Sequence, residues 1–367
     1  MADSLYMLSE AASRLRLGIP CVLADESPCF GSSHRIFKIV FEDSIQWAAR
    51  VSDDANNWKN ELRAVRQFRH IKKQRPKIKA PDLFVEEEYP VVYSEWVSGK
   101  PLAIWTSQIP LLKRQRLLDD LAEFLLQLWT TPVPSTLTQR KSCLYSTWLT
   151  ESLDRGLRRT LRGTARWGNA INYLIMRSMI PDYAAEYDEY SGFGFTHGDL
   201  NARNIMKSDE FHLTGTIITD VLDCRVIDWD WMSVAPLPAI IHHPWFIADI
   251  PGWHNDGISE SERFEVDRRY LENSIREKEV LQHLPLTVST LLSDSGRRLF
   301  FQSAFHFKSI HEEFVRMHCP LTEENIRAAM PQLDDVLRLY PELAGEEGVR
   351  EVRELLRSSG EQQGLEV

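Results

Sequence analysis

The spacing of hydrophobic positions changes along the chain, from a period of two to a period near 3.6. In residues 35–42, Phe37, Ile39 and Phe41 occupy alternate positions, which is typical of a β-strand with one buried face. Similar apolar runs predict further strands at residues 19–24, 45–51, 83–86 and 91–96. Among them, a helix is predicted over residues 56–69, where one face carries Leu62, Val65 and Phe68. The first hundred residues therefore favour a small, sheet-rich unit.

The helical spacing begins after a break at Ser98-Gly99-Lys100-Pro101. It is clearest over residues 113–129, where the apolar stripe consists of Leu117, Leu121, Phe124 and Leu128. Helices are also predicted at 147–161 and 169–179, followed by short strands between 195 and 230, a mainly helical remainder and a charged last helix over 346–367. We expect two lobes, residues 1–96 rich in strands and residues 97–367 mainly helical, which is an α+β fold.

Composition excludes several classes of protein. The 367-residue chain is 43% apolar and 26% charged, as in ordinary globular proteins. Its net charge of −10 argues against a nucleic-acid partner, which usually requires a basic surface. No apolar run is long enough to span a membrane. The first twenty residues lack the unbroken apolar stretch of a secretory signal, and the five cysteines show no C-x-x-C spacing. We therefore expect a cytoplasmic protein with reduced thiols.

The richest cluster of chemically useful residues is FTHGDLNARNIM at residues 195–206. Asp199 stands on a predicted loop, and Asn204 follows five residues later at the start of a strand. Such a carboxylate can accept the proton of a hydroxyl group, while an amide oxygen can bind Mg²⁺. A second motif, VIDWD at residues 226–230, places Asp228 at the end of an apolar strand. Mg²⁺ prefers one or two such protein oxygens together with phosphate oxygens.

The pair of motifs, H-G-D-L-x-x-x-N followed by I-D-W-[DE], resembles the aminoglycoside phosphotransferase and choline kinase-like family. The resemblance spans roughly residues 27–244 and implies a bilobal protein kinase-like fold, with ATP and Mg²⁺ as cofactors. It implies that Asp199 is the catalytic base, that His197 supports the catalytic loop, and that Asn204 and Asp228 hold the metal. Protein kinases share this spacing, but they usually have Arg in place of Gly198 and carry D-F-G and A-P-E motifs, which are absent here.

The resemblance assigns nucleotide-binding roles in the first lobe. The loop at Gly31, Ser32 and Ser33 lies where the family covers the ATP phosphates, although one glycine among small residues also suits a plain hairpin. Arg50 stands where the family usually has a Lys for the α- and β-phosphates, and arginine is bulkier and planar. Glu61, on the following helix, is the predicted partner of Arg50; the alternative is a solvated helix carboxylate.

The adenine base is expected at a hinge formed by Glu95, Trp96 and Val97, a stretch that equally suits a strand leading into a linker. The segment between the two motifs, residues 206–225, is longer than is usual in the family. It contains four acidic residues, but only Asp228 has the I-D-W context.

Other features of the C-terminal half permit more than one interpretation. His242, His243 and His254 could suggest a metal site, but their spacing matches no metal motif, and a packed or substrate-side loop fits better. Any of four tryptophans could line an acceptor pocket: Trp148, Trp167, Trp245 and Trp253.

The sequence favours an ATP- and Mg²⁺-dependent phosphotransferase that acts on a hydroxyl of a small molecule, with neither nucleic acid nor membrane as partner. A catalytically silent kinase-like module is the first alternative, because Arg50 replaces the usual lysine. A protein kinase is the second alternative. No motif indicates the acceptor or the oligomeric state.

Overall fold

The fold is described from a computed structural model, which describes residues 2–30, 34–52, 58–86, 89–138, 142–213, 225–253 and 264–361. An antiparallel sheet occupies the N-terminal part. Its strands are β1 (Cys21–Leu23), β2 (Cys29–Phe30), β3 (His34–Phe41), β4 (Gln46–Ser52), β5 (Leu83–Val85) and β6 (Val91–Glu95). They pair in the order β1-β3-β4-β6-β5, and β2 also pairs with β3. The five predicted strands are confirmed, whereas β2 was not predicted.

A first helix, α1 (Ala2–Leu15), packs against this sheet. The small apolar core between them includes Leu8 and Ala12 of the helix and Ile39, Trp47 and Tyr93 of the sheet. Tyr93 also donates its hydroxyl to the carbonyl of Leu8, at 3.2 Å. No helix was predicted here, and burial of its apolar face makes α1 part of the sheet-rich unit.

The second helix, α2 (Trp58–Gln74), links the two parts of the molecule. It extends five residues beyond the predicted end at 69, because Ile71 is also buried. Ala64, Phe68 and Ile71 belong to the large C-terminal core rather than to the small sheet core. The predicted boundary between the two lobes at residue 96 stays a prediction, because α2 lies before residue 96 in sequence but packs into the C-terminal core.

The C-terminal part consists mainly of helices. In the described residues these are α3 (Leu111–Trp129), α4 (Tyr145–Leu161), α5 (Ala170–Ala184), α6 (Leu237–Ile240), α7 (Glu265–Leu281), α8 (Thr287–Ser293), α9 (Ser295–Ser303), α10 (Lys308–His318), α11 (Glu323–Leu339) and α12 (Glu347–Glu361). The helices predicted at 113–129, 147–161, 169–179 and 346–367 correspond to α3, α4, α5 and α12. Buried charge ties α3 to α7, because Asp267 accepts hydrogen bonds from Arg114 and Trp105. None of the helices in the described ranges is long and apolar enough to cross a membrane.

Two small antiparallel pairs carry the central motifs. Strand β7 (Lys100–Pro101) pairs with β9 (Met206–Lys207), and β8 (Phe193–Thr196) pairs with β10 (Ser233–Pro236). The strand predicted at residues 226–228 is reduced to a single bridge between Val226 and Ile205. Cys21, Cys29, Cys143 and Cys319 are free thiols, while Cys224 lies outside the described residues.

Candidate active site

The loop between β8 and β9 carries the first motif. Gly198 has a φ of +79°, in the left-handed region that favours glycine. A Cβ atom at this position would lie 2.2 Å from the carbonyl oxygen of Trp231, so backbone atoms leave no room for a side chain. Glycine is therefore required for the loop to turn against the segment after the second motif.

The carboxylate of Asp199 is held by amides of its own loop. Asn201 Nδ2 donates to Asp199 Oδ1 at 2.9 Å, and Asn204 Nδ2 donates to Oδ2 at 3.0 Å. Asn204 Nδ2 also donates to the Asp199 carbonyl oxygen at 2.8 Å. Two donors on separate oxygens fix the plane of the carboxylate, so that it needs little reorganisation to act on a neighbouring group.

The His197 ring forms hydrogen bonds with residues of both motifs. Its Nε2 donates to the carbonyl of Ile227 at 2.8 Å, and its Nδ1 accepts from the Asp199 amide at 3.3 Å. Burial lowers the pKa of His197, so the imidazole is neutral, consistent with one nitrogen donating and the other accepting. The ring packs on Trp229 with centroids 4.7 Å apart. His197 is thus a positioning residue for Asp199.

Asp228 is brought close to Asn204 because the residue before it, Ile227, is bonded to the Asn204 backbone. The Ile227 amide donates to the Asn204 carbonyl at 2.9 Å, and Asp228 itself has a φ of +67°. Asp is among the residues that tolerate this conformation. Among the described residues, no group donates to Asn204 Oδ1, and no cluster of three or more His, Cys, Asp or Glu forms a metal site by itself. One amide oxygen, one carboxylate and phosphate oxygens nevertheless form a donor set that suits Mg²⁺.

Arg50, on β4, binds the second motif. Its two terminal nitrogens donate to the two oxygens of Asp230, at 2.8 and 2.5 Å, and one of them also donates to Asp228 Oδ1 at 3.2 Å. Burial disfavours the guanidinium charge, but Asp230 and Asp228 outweigh it and raise the pKa of Arg50. Asp230 was not singled out from the sequence, although it is the second acidic residue of the I-D-W-[DE] motif.

The expected pairing of Glu61 with Arg50 is mediated by a third residue. His34 Nε2 lies 3.3 Å from Glu61 Oε1 and 3.5 Å from Asp230 Oδ2, while its Nδ1 lies 3.5 Å from an Arg50 nitrogen. Glu61 is buried, so the solvated alternative is wrong. The hydrogen bond from His34 to the Glu61 carboxylate raises the pKa of His34. Sequence reasoning missed His34, which has no motif around it.

In the predicted hinge, Glu95 and Trp96 already contact other protein groups. The Glu95 side chain accepts from the Asp82 amide and from Arg225. The Trp96 amide donates to the Gln46 carbonyl at 2.9 Å, and Lys38 lies over the Trp96 ring. The Val97 amide donates to no group in the described residues. The predicted phosphate loop, Gly31, Ser32 and Ser33, lies outside the described residues.

A cavity of about 970 Å³ adjoins Asp199 and is lined mainly by residues of the C-terminal part. Of the four tryptophans considered, Trp148 and Trp245 line it. Trp167 packs instead on Tyr173 and His311, and Trp253 packs behind Trp245. The sequence did not single out Trp129 and Trp231, which also line it.

The predicted histidine loop borders this cavity. His242 lines it and donates from Nδ1 to the carbonyl of His243, whereas His243 bonds Glu272 and Ser295. His254 lies outside the described residues, as do Asp220 and Asp223 of the long segment between the motifs. In that segment, the carbonyl of Asp209 accepts from Lys113, and Glu210 pairs with Arg116.

Comparison with known proteins identifies the fold. No family model matches the chain, and no curated protein matches its sequence. Solved structures do match. ADP-bound aminoglycoside phosphotransferase APH(2'')-Ib superposes with a TM-score of 0.53 at 12% identity, covering 90% of this chain and 97% of that one. The ternary complex of streptomycin, ATP and APH(2'')-IIa gives 0.53 at 11% identity, covering 90% and 95%.

An ethanolamine kinase from Plasmodium vivax gives a TM-score of 0.52 at 11% identity, covering 88% of this chain and 84% of that one. These matches establish that the chain has the bilobal protein kinase-like fold of phosphotransferases that act on small molecules. The fold predicted from the sequence is confirmed.

Proposed function

We propose that this protein is an ATP- and Mg²⁺-dependent phosphotransferase that acts on a hydroxyl of a small molecule. The observation that carries the proposal is that Asp199, held by Asn201 and Asn204, lines a large cavity. The segment that carries Asp228 is joined to the same loop by the hydrogen bond from the Ile227 amide to the Asn204 carbonyl. An oriented carboxylate facing an acceptor cavity, beside a carboxylate and amide pair, suits phosphoryl transfer.

Asp199 acts as the catalytic base in this proposal. Its carboxylate orients the acceptor hydroxyl and takes its proton while the oxygen attacks the γ-phosphorus of ATP. His197 accepts a hydrogen bond from the Asp199 amide and so positions that backbone. It takes no proton in the reaction, because burial lowers its pKa and keeps the imidazole neutral. Most of the acceleration comes from positioning and from stabilising charge, as is usual for this reaction.

Asn204 and Asp228 would hold Mg²⁺, with Asn204 contributing Oδ1. When bound, the ion offsets the negative charge of the phosphates. Arg50 would contact the α- and β-phosphates, and Asp230 keeps its guanidinium in place through two hydrogen bonds. The Val97 amide is available for the adenine base, and residues 31–33 remain the predicted cover over the phosphates.

The experiment that tests the proposal is ATP turnover by the variant Asp199→Asn. ADP release is measured in the presence of Mg²⁺ and a pool of hydroxylated metabolites. We expect turnover to fall by roughly 10²–10⁴-fold, the usual contribution of a general base, with ATP binding retained. Asp209→Asn is the control, because this exposed aspartate lies in the same part of the chain. Turnover of Asp199→Asn equal to that of the wild type would remove Asp199 from the mechanism.

One observation favours a second candidate, a catalytically silent nucleotide-binding module. Arg50 donates to Asp228 as well as to Asp230, so it competes with a metal for the Asp228 carboxylate. In a silent module, the wild type binds ATP without turnover, and Arg50→Lys, which removes the planar fork, generates measurable turnover. In an active kinase, Arg50→Lys leaves turnover equal or lower.

A further inference from the structure

One residue in the wall of the cavity has a ring whose tautomer is fixed. His242 lines the cavity beside Asp199, on the loop that follows α6. Its Nδ1 lies 3.0 Å from the carbonyl oxygen of His243. Because a carbonyl only accepts hydrogen bonds, Nδ1 carries a proton. Burial lowers the pKa of His242 to about 4, so the ring is neutral and keeps a lone pair on Nε2.

The Nε2 atom of His242 is accessible from the cavity. In the described part of the chain, this nitrogen has no hydrogen-bond partner and is not enclosed by protein atoms. Because the ring belongs to the cavity wall, a molecule inside the cavity can reach it. The bond at Nδ1 determines what Nε2 does: it accepts a hydrogen bond and cannot donate one.

Three side chains hold the loop that carries His242. His243 Nε2 donates to Glu272 Oε1 at 2.9 Å, and Ser295 Oγ donates to His243 Nδ1 at 3.0 Å. Ser295 is fully buried and does not line the cavity, so this set does not act as a nucleophile with its base. It fixes His243 instead, and the His243 carbonyl sets the tautomer of His242.

The two amide side chains of the wall are less available to a bound molecule. Gln302 accepts from the Tyr145 hydroxyl through Oε1 and donates to the Ala239 carbonyl through Nε2, so both ends of its amide are engaged. The Oε1 atom of Gln67 is enclosed by protein atoms. His242 differs from both amides because it presents an accessible and unpaired acceptor atom.

We propose that His242 is a specificity-determining residue whose Nε2 accepts a hydrogen bond from the acceptor molecule. The acceptor then carries a second donor, a hydroxyl or N–H group, besides the hydroxyl that Asp199 deprotonates. This inference rests on the proposed function, because it concerns the substrate of the same cavity. It holds for neutral and cationic acceptors alike, since the aromatic rings of the wall suit both.

Matched pairs of probes test the proposal by calorimetry. Each pair consists of 1,2-, 1,3- or 1,4-benzenedimethanol and the monomethyl ether of that diol, which keeps both oxygens but loses one donor. The three isomers place the hydroxyls at different separations. We expect at least one diol to bind the wild type about two- to tenfold more tightly than its ether, the range for one neutral hydrogen bond. Equal affinity within every pair, or no binding by any probe, would overturn the inference.

Variants of the wall assign the difference to one residue. His242→Phe keeps a ring but has no acceptor atom, so we expect it to bind the diol and its ether equally. His242→Gln restores an acceptor oxygen and should recover part of the difference. His306→Phe is the control, because it removes another imidazole of the same wall. A difference that persists in His242→Phe, or disappears in His306→Phe, would contradict the role of His242.

Nitrogen NMR of the wild type labelled with ¹⁵N-histidine gives a readout that does not depend on the folding of a variant. The His242 signals are assigned by their loss in His242→Gln. We expect a protonated Nδ1 and an unprotonated Nε2, and we expect the diol to shift the Nε2 signal more than its ether does. A proton on Nε2 would show that this atom is a donor and would refute the proposal.

Turnover separates this inference from the proposed activity. If a hydroxylated metabolite is phosphorylated, we expect His242→Phe to raise the KM for that acceptor about two- to tenfold, with kcat and the KM for ATP little changed. An unchanged acceptor KM would overturn the inference while the activity stands. If no metabolite is phosphorylated but the diols bind through His242, the inference stands as a property of the cavity and the proposed activity falls.

Discussion

Arg50 shows how one exchange of residue type changes its surroundings. A lysine presents a point charge, whereas the planar guanidinium of Arg50 occupies both oxygens of Asp230 and reaches Asp228. Glu61 contacts His34, and His34 in turn lies next to the Arg50 guanidinium. The two carboxylates of the I-D-W-D motif therefore neutralise Arg50. Asp230 is the main partner of Arg50, with two hydrogen bonds, and Asp228 accepts a single one.

We predict that Asp230→Asn impairs the nucleotide site as well as stability. Arg50 would lose a bidentate partner, and the free energy of unfolding should fall by about 1.5–3 kcal/mol, the range for a hydrogen bond to a charged group. Arg50 would then rely on Asp228, so Mg²⁺-dependent ATP binding should weaken too. Urea denaturation and calorimetry measure the two effects, with exposed Asp209→Asn as control. Unchanged ATP affinity would argue against a positioning role for Asp230.

The contact between His34 and Glu61 makes a pH-dependent contribution to stability. The Glu61 hydrogen bond raises the pKa of His34 above its ordinary 6.5, while Asp230 favours and Arg50 opposes its charge. A raised pKa in the folded state stabilises the protein most below pH 6.5, and this contribution is lost as pH rises through the folded value. We expect His34→Gln to cost about 1 kcal/mol at pH 5.5 and less at pH 8.5.

Urea denaturation at both values of pH gives this comparison, and Glu61→Gln should follow the same trend. A cost for His34→Gln that grows toward pH 8.5 would show that neutral His34 is the stabilising form, contrary to this prediction.

At the scale of elements, α2 connects the N-terminal sheet to the loop that carries Asp199. Glu61 at its start contacts His34 of β3, and Phe68, two turns later, packs on Trp229 with centroids 4.8 Å apart. Trp229 in turn packs on His197. The helix therefore contacts the second motif directly, through Phe68 and Trp229, and Glu61 contacts His34, which lies beside Arg50 and Asp230.

We predict that Phe68→Ala destabilises the fold by about 3–5 kcal/mol, the usual cost of deleting a buried phenyl ring. Leu62→Ala, on the same helix but only half buried, should cost clearly less. Denaturant unfolding measures both. Because Trp229 would lose its neighbour, ATP binding should also weaken in Phe68→Ala more than in Leu62→Ala. Equal stability of the two variants would contradict the placement of Phe68 in the core.

The helices with regular apolar spacing were predicted within a few residues, because a buried stripe such as Leu117 to Leu128 is a local pattern. Strand β10 was missed, since Ser233–Pro236 is a short segment whose pairing with β8 is non-local. Asp199, Asn204 and Asp228 were proposed as site residues from local motif spacing. Asp230 and His34 were not, because their contacts with Arg50 join distant parts of the chain.

At the scale of the whole molecule, the candidate site lies where two cores meet. The small core holds α1 and the sheet, while the large core holds the helices together with the buried face of α2. Arg50 of the sheet forms a charged contact with Asp228 and Asp230 of the C-terminal part. A nucleotide bound between the sheet and the motifs would add contacts to both parts, so ligand binding and global stability should be coupled.

We therefore predict that ATP with Mg²⁺ raises the free energy of unfolding by about 2.7 kcal/mol at a hundredfold excess over its dissociation constant. Chelation of Mg²⁺ should abolish most of this gain. Asp228→Asn should do the same without a backbone penalty, because Asn also tolerates the left-handed conformation. Thermal and urea unfolding with and without EDTA measure the effect. Equal stabilisation by ATP without Mg²⁺ would mean that Arg50 keeps Asp228 from the metal, and the silent module would then be the better explanation.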